Sequence, residues 1–174
     1  MLVHESNTGM GKNILLEVFD KRRRAQLLKK DSERKIKSGR AMVSHDYTPS
    51  EELDITFQKA AEEGFKLQGY KVDGNGMGTP REVKIYITKL KLKLRKKNRG
   101  EEGRSTVQAR LRTKIKLSAR NRGIAYTQEY EFFIKKSYLT VPQKIEREKI
   151  LNYGLTQVLH QILDDPKLTD FLTG

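Results

Sequence analysis

Apolar and polar residues alternate over three long stretches in the second half of the chain, a period typical of β-strands with one buried face. In the first stretch the apolar positions are odd-numbered from Val83 to Ile87 and even-numbered from Leu90 to Leu94. A β-bulge near Thr88-Lys89 would return both sets to the same face. The pattern therefore predicts one long strand with a bulge.

The second and third stretches predict a hairpin joined at Asn121-Arg122-Gly123, residue types that suit a tight turn. The inward positions of the second are Val107, Ala109, Leu111, Ile115, Leu117 and Ala119, and those of the third are Ile124, Tyr126, Tyr130, Phe132 and Ile134. Glu129 and Glu131 point outward. We expect them to neutralise Arg110, Arg112 or Lys114 across the hairpin.

A shorter apolar run, Ile14–Phe19, predicts a first strand near the N-terminus. Residues 1–13 before it are polar and contain glycine, and we expect them to be flexible. Residues 21–46 after it are basic and lack a regular apolar period. We expect a partly irregular excursion there.

Two segments have the 3.6-residue period of amphipathic helices. The first begins at the capping sequence Thr48-Pro49-Ser50-Glu51, and Gly69-Tyr70 ends it. Its apolar face comprises Leu53, Phe57, Ala60, Ala61, Gly64 and Leu67. The second follows Thr140–Gln143, and its stripe comprises Ile150, Leu151, Leu155, Val158, Leu159, Ile162 and Leu163. After Asp164-Asp165-Pro166, a short turn carries Leu168, Phe171 and Leu172 to the C-terminus.

The order of these elements is strand, helix, three-strand meander, helix. It predicts an α+β fold: a mostly antiparallel sheet with two amphipathic helices packed on one face and the other face open. A length of 174 residues suits a single domain over residues 1–174.

Charge is concentrated on the meander. The chain has 36 Lys and Arg against 22 Asp and Glu, a net charge of +14. Residues 81–122 contain 16 basic and three acidic residues, so their balance of +13 nearly equals that of the whole chain. The sign indicates a polyanionic partner: nucleic acid, a phosphate-bearing glycolipid or an anionic membrane surface.

The alternation places eight basic residues on the open sheet face: Lys89, Lys91, Lys93, Arg95, Arg110, Arg112, Lys114 and Lys116. A solvated strand face that resists aggregation would also be lysine-rich. Because so few acidic residues lie on this face, its basic side chains repel one another and do not stabilise the fold. We therefore favour the interpretation that the face binds an anion or a partner. Tyr86 is the main aromatic residue expected there, and base-stacking platforms need aromatics, so nucleic acid ranks second to phosphates on a lipid or glycan.

The sequence offers no constellation for catalysis, a metal or a cofactor. Gly74–Gly78 leads into a strand and so lacks the helix N-terminus of a nucleotide loop. His4, His45 and His160 do not have metal-ligand spacing, and the chain contains no cysteine. We therefore expect no enzyme, no catalytic residues, no metal site and no cofactor.

Five local features occur together: Asp20-Lys21-Arg22, Gly69–Val72 with its glycine loop, Val83–Leu90, the long hairpin, and Asp164–Leu172. Together they resemble the YajG-like family of bacterial envelope lipoproteins over nearly the whole chain. The element order is also similar to that of LptE, the lipoprotein of the lipopolysaccharide-transport machinery, in which basic sheet residues are implicated in lipopolysaccharide contact.

The resemblance implies a periplasmic protein anchored to the outer membrane by an N-terminal lipidated cysteine, which we expect outside the given 174 residues. We expect a non-enzymatic lipoprotein domain in an outer-membrane-associated assembly. Its partner would be an anionic envelope component, such as lipopolysaccharide or a glycan, or an envelope protein. The alternatives are a nucleic-acid-binding domain and a purely structural subunit of an envelope complex.

Overall fold

The computed structural model describes residues 8–22, 42–45, 53–72, 79–98 and 105–174, and only the backbone of residues 42–45, 97, 98 and 105. The strands in these ranges are β1 (Ile14–Asp20), β2 (Met42–His45), β3 (Arg81–Asn98), β4 (Ser105–Asn121) and β5 (Ile124–Tyr138). The helices are α1 (Leu53–Leu67), α2 (Lys144–Leu163) and α3 (Pro166–Thr173). None of these described helices is long and apolar enough to span a membrane.

The strands form one sheet in the order β1, β3, β4, β5, with β2 also paired to β3. β1 runs parallel to β3, from Ile14 opposite Arg81 to Asp20 opposite Ile87. The other described pairs are antiparallel. The predicted α+β class and mostly antiparallel sheet are therefore confirmed.

The N-terminal third contains more order than the sequence suggested. β2 lies in the 21–46 excursion, and its backbone pairs with β3 from Met42 opposite Arg95 onward. Its sequence, Met-Val-Ser-His, does not alternate apolar and polar residues, so the strand has no periodic sequence signal. In the segment expected to be flexible, the Gly9 and Gly11 N–H groups donate to the carbonyls of Gln68 (2.7 Å) and Gly69 (2.9 Å). Residues 1–7 and 23–41 lie outside the described part.

The β3 bulge lies where the sequence predicts it. The register with β4 shifts between Ile87 and Lys89. Because of this shift, the apolar residues before and after it face the same way, and those from Val83 to Leu94 are each no more than 6% exposed. The bulge thereby also sets which basic residues of β3 face outward.

The hairpin turn between β4 and β5 is confirmed. Arg122 and Gly123 have φ angles of 47° and 85°, the signs of a two-residue type I′ turn. Ile124 has the predicted inward phase, because it pairs with Asn121 and precedes Tyr126 by two residues, but it lies directly at the turn and is 67% exposed rather than buried.

Helix α1 begins, in the described part, at Leu53; its predicted start at Thr48–Glu51 lies outside the described residues. Its buried residues are Phe57, Ala61, Gly64 and Phe65. The face is thus rotated from the predicted one, since Ala60 is exposed and Phe65 takes its place. Gly69, at φ 85°, follows the helix and donates its N–H to the Lys66 carbonyl (2.9 Å).

Helix α2 buries the predicted stripe against the sheet. The expected C-terminal turn is instead the eight-residue helix α3, so the described part has three helices rather than two. Asp165 accepts a hydrogen bond from the Lys167 N–H (2.9 Å) as the N-cap, and Pro166 occupies the first turn. Leu168 and Leu172 lie one turn apart on its buried side, which stabilises the short helix by packing.

Candidate anion-binding face

The eight predicted basic residues lie together on the sheet surface opposite the helices, and we call this set the basic face. Three of its pairs stand directly across β3 and β4: Lys89 opposite Lys114, Lys91 opposite Arg112, and Lys93 opposite Arg110. Arg95 lies opposite Gln108, and Lys116 lies opposite Tyr86. The predicted placement of all eight is therefore confirmed.

The strand geometry brings these like charges close together. Neighbouring strands are about 4.8 Å apart and same-face neighbours along one strand about 6.8 Å. Both spacings are shorter than the screening length of about 8 Å at physiological salt. Like charges directly opposite each other destabilise a sheet by roughly 0.2–1 kcal/mol a pair.

Two glutamates on β5 neutralise one side of the basic face. Glu131 accepts a hydrogen bond from the Arg112 Nε, and Glu129 Oε2 lies 2.7 Å from the Lys114 Nζ. The hydrogen bond from Arg112 holds the pKa of Glu131 below its ordinary value. The expected neutralisation is thus confirmed for Arg112 and Lys114. Arg110 instead donates to the amide oxygen of Gln108 (2.8 Å).

The remaining cations are less compensated. Within the described residues, no carboxylate forms an ion pair with Lys93, Arg95 or Lys116, and all three side chains are exposed. By contrast, Lys84 near the β1 end of the sheet lies 3.4 Å from Glu17 and 3.8 Å from Glu82. The cations without a described ion pair therefore lie on either side of the neutralised Arg112 and Lys114: Lys116 on one side, and Lys93 and Arg95 on the other.

Aromatic side chains on this surface are more numerous than expected. Tyr86 stacks on Phe19 of β1, with ring centroids 5.4 Å apart and planes at 17°. Phe133 on β5 is 51% exposed, and the Lys135 Nζ lies 5.3 Å from its ring centroid. The sequence predicts Tyr86 as the main aromatic residue on this face. The signal for Phe133 was available, because it follows the outward phase of Glu129 and Glu131.

The sequence Asp20-Lys21-Arg22 has a structural role at the end of β1. Asp20 accepts hydrogen bonds from the Arg22 N–H (3.1 Å) and from its guanidinium Nε (2.9 Å) and Nη2 (2.5 Å). Partial burial raises the pKa of Asp20, but these hydrogen bonds outweigh burial and leave it lowered. The pair fixes the end of β1 by neutralising a buried guanidinium.

The segment Asp164–Leu172 also holds the fold together. Tyr130 and Tyr126 donate hydrogen bonds to Asp165 Oδ2, at 2.6 and 3.0 Å. Burial opposes ionisation of Asp165, but these bonds and those from the Lys167 and Leu168 N–H groups keep its pKa below the ordinary value. Burial and the bond to Asp165 raise the pKa of Tyr130. The tyrosines therefore remain protonated donors that fasten α3 to β5.

Among the described residues no three or more acidic, histidine or cysteine side chains are grouped so as to hold a metal ion. His160 lies half-buried in α2. His4, the His45 side chain and the Gly74–Gly78 loop lie outside the described part.

Comparison with known proteins gives one family. A family model described as uncharacterized lipoprotein matches residues 2–173 of the chain. No curated protein matches the chain. A solved structure described as the crystal structure of an uncharacterized protein is similar, with a TM-score of 0.49 and 12% sequence identity over 87% of this chain and 91% of that one.

Proposed function

Since the chain belongs to this uncharacterized lipoprotein family, the YajG-like family, we propose that its basic face binds a phosphate-bearing envelope component such as lipopolysaccharide or a phosphorylated glycan. A lipoprotein family is consistent with association with the cell envelope. Periplasmic location, anchoring in the outer membrane through a lipidated cysteine and the absence of catalysis are parts of the proposal.

The observation that carries the proposal is the like-charge register of β3 and β4. Lys93 faces Arg110 directly, and both lie on the surface that no described helix covers. Such pairs weaken the sheet when no anion is present. A phosphate placed between them would turn repulsion into two charge-assisted hydrogen bonds, each stronger than a neutral one. The arrangement thus favours a ligand with several phosphate groups, separated by distances similar to those between neighbouring cation pairs along the strands.

The experiment compares two variants that remove equal charge from opposite sides of the molecule. Lys89→Gln, Lys93→Gln, Arg110→Gln and Lys116→Gln together remove four basic-face charges that form no ion pair with a described carboxylate. Lys59→Gln, Lys66→Gln, Lys144→Gln and Lys167→Gln remove four exposed lysines from the helix side. We expect salt-dependent binding to lipopolysaccharide vesicles to be lost only in the first variant. Equal loss in both would show that net charge alone drives binding and would refute the proposal.

A second candidate, binding of single-stranded nucleic acid, is favoured by the aromatic residues on the same surface. The exposed Lys21 and Lys135 lie 5.6 and 5.3 Å from the ring centroids of Phe19 and Phe133, and Tyr86 stacks on Phe19. Aromatic rings beside cations are the combination that stacking platforms use. Binding of a labelled oligonucleotide that Phe133→Ala and Tyr86→Ala weaken, each by about 1–3 kcal/mol, would support this candidate. Binding that follows the cations and ignores the aromatics supports the phosphate proposal.

A further inference from the structure

A groove of about 530 Å³ opens between the edge strand β5 and the first half of α2. Ile134 and Tyr138 line it from the strand, and Ile150 and Tyr153 line it from the helix. This volume falls in the usual range for small-molecule sites, about 300–1,000 Å³, and the largely apolar lining is also typical of them. The groove lies on the helix side of the sheet and is separate from the basic face.

Two exposed apolar residues follow the end of β5 that lines the groove. The connection from β5 to α2 leaves Leu139 78% and Val141 58% exposed. Both residues follow Tyr138, which lines the groove. Two exposed apolar residues beside an apolar groove add to the apolar surface that a ligand or partner could cover there.

The groove also carries an excess of positive charge. Lys136 and Lys149 are exposed lining residues, and Glu146 is the acidic one. The Glu146 carboxylate already accepts a hydrogen bond from the Gln143 N–H (2.8 Å) at the start of α2, where negative charge is stabilised. The Lys136 Nζ lies 5.7 Å from the Tyr138 ring centroid, and within the described residues neither Lys136 nor Lys149 forms an ion pair with a carboxylate. Both ammonium groups can therefore contact an anion at the edge of the apolar groove.

We propose that this groove binds a single-chain amphiphile with a phosphate headgroup. The acyl chain lies between β5 and α2, against Ile134, Ile150 and Tyr153, and the phosphate contacts Lys136 and Lys149. The site goes beyond the function proposed for the basic face. The two sites lie on opposite faces of the sheet. On β5, Lys136 faces the groove, whereas its neighbour Lys135 faces the other side.

The test is calorimetric titration of the full chain with dodecyl phosphate below its micelle concentration. Butyl phosphate, which lacks the long chain, should not bind measurably, and dodecyl maltoside, which lacks the charge, should bind more weakly. Lys136→Gln with Lys149→Gln should weaken dodecyl phosphate binding about threefold to tenfold. The charge-matched control, Lys135→Gln with Lys144→Gln, should leave it unchanged.

Tyr153→Ser should weaken binding about tenfold by removing apolar contact, whereas Ile145→Ser, at an exposed site on the same helix, should not. The four-residue basic-face variant should bind dodecyl phosphate normally, so the two proposals can fail independently. The groove proposal is overturned if dodecyl phosphate does not bind to the parent protein. It is also overturned if the basic-face variant abolishes this binding while the groove variant, Lys136→Gln with Lys149→Gln, retains it. A dimer of this chain that Tyr153→Ser dissociates would also overturn it, because a second copy would then occupy the groove.

Discussion

Lys93 of β3 and Arg110 of β4 stand directly opposite each other, with the two side chains on the same open face of the sheet. Cross-strand neighbours normally attract or pack, and a pair of equal charges at this spacing opposes folding. The described residues supply no carboxylate that forms an ion pair with Lys93. The fold therefore maintains a repulsive contact that an anionic ligand would relieve.

The repulsion between these two residues is measurable by a double-mutant cycle. Lys93→Gln should increase the free energy of unfolding by about 0.2–1 kcal/mol at low salt, because it removes one of two opposed charges. The gain should disappear in an Arg110→Gln background and shrink in concentrated salt, which screens the charges. Urea unfolding at two salt concentrations measures both effects. Additive effects of the two substitutions would show that the pair does not interact.

Asp165 should make stability depend on pH in the acid range. Asp165→Asn should lower the free energy of unfolding by about 1–2 kcal/mol at neutral pH, because Tyr130 and Tyr126 then donate to an uncharged acceptor. The folded-state pKa of Asp165 lies below the ordinary 3.8. The ionised Asp165 carboxylate therefore stabilises the fold at pH values above the ordinary pKa. This contribution is lost as the pH falls through the lower folded-state pKa.

Urea unfolding from neutral pH down to about pH 2 checks the sign of this dependence. The difference between the parent protein and Asp165→Asn should narrow as the solution becomes more acidic. The exposed neighbour provides a control, and Asp164→Asn should change stability little. A difference that stays constant with pH would mean that the charge of Asp165 is not what fastens α3 to the sheet.

Gly154 marks the closest approach of α2 to the sheet. A Cβ at this position would lie 2.9 Å from the Thr113 Oγ1 and still closer to the buried Leu111 side chain. Alanine is the better helix former by about 1 kcal/mol, but crowding in a packed core costs about 1–3 kcal/mol. We expect Gly154→Ala to destabilise the protein in thermal unfolding. The exposed Asn152→Ala on the same helix should be neutral or stabilising, and a stabilising Gly154→Ala would contradict the packing described.

The meander was predictable because its signal is local. Alternation in β3 and β4 fixes the buried face, the change of phase near Thr88 fixes the bulge, and together they identify all eight basic-face residues. The same rule would have found Phe133. The sequence also encodes α3 locally, because Leu168, Phe171 and Leu172 have helical spacing after a capping aspartate, although the predicted element there is a turn.

Other features depend on contacts distant in sequence. The parallel pairing of β1 with β3 arises from partners 67 residues apart, such as Ile14 and Arg81, and no local period encodes it. Strand β2 also depends on a distant partner, because its backbone forms a strand within a basic segment by pairing with β3. The groove has the same origin: Ile134 and Ile150 both read as core positions, and only the packing of α2 against an edge strand leaves space between them.

The central claim is that phosphate groups are recognised by the cations of the basic face. Titration with intact and enzymatically dephosphorylated lipopolysaccharide tests it most directly, in the parent protein and in the variant that lacks the charges of Lys89, Lys93, Arg110 and Lys116. We predict that the parent protein binds the intact form at least about tenfold more tightly, a difference of about 1.4 kcal/mol, and that the variant loses this preference. Equal affinity of the parent protein for both forms, or a preference that survives in the variant, would contradict the account.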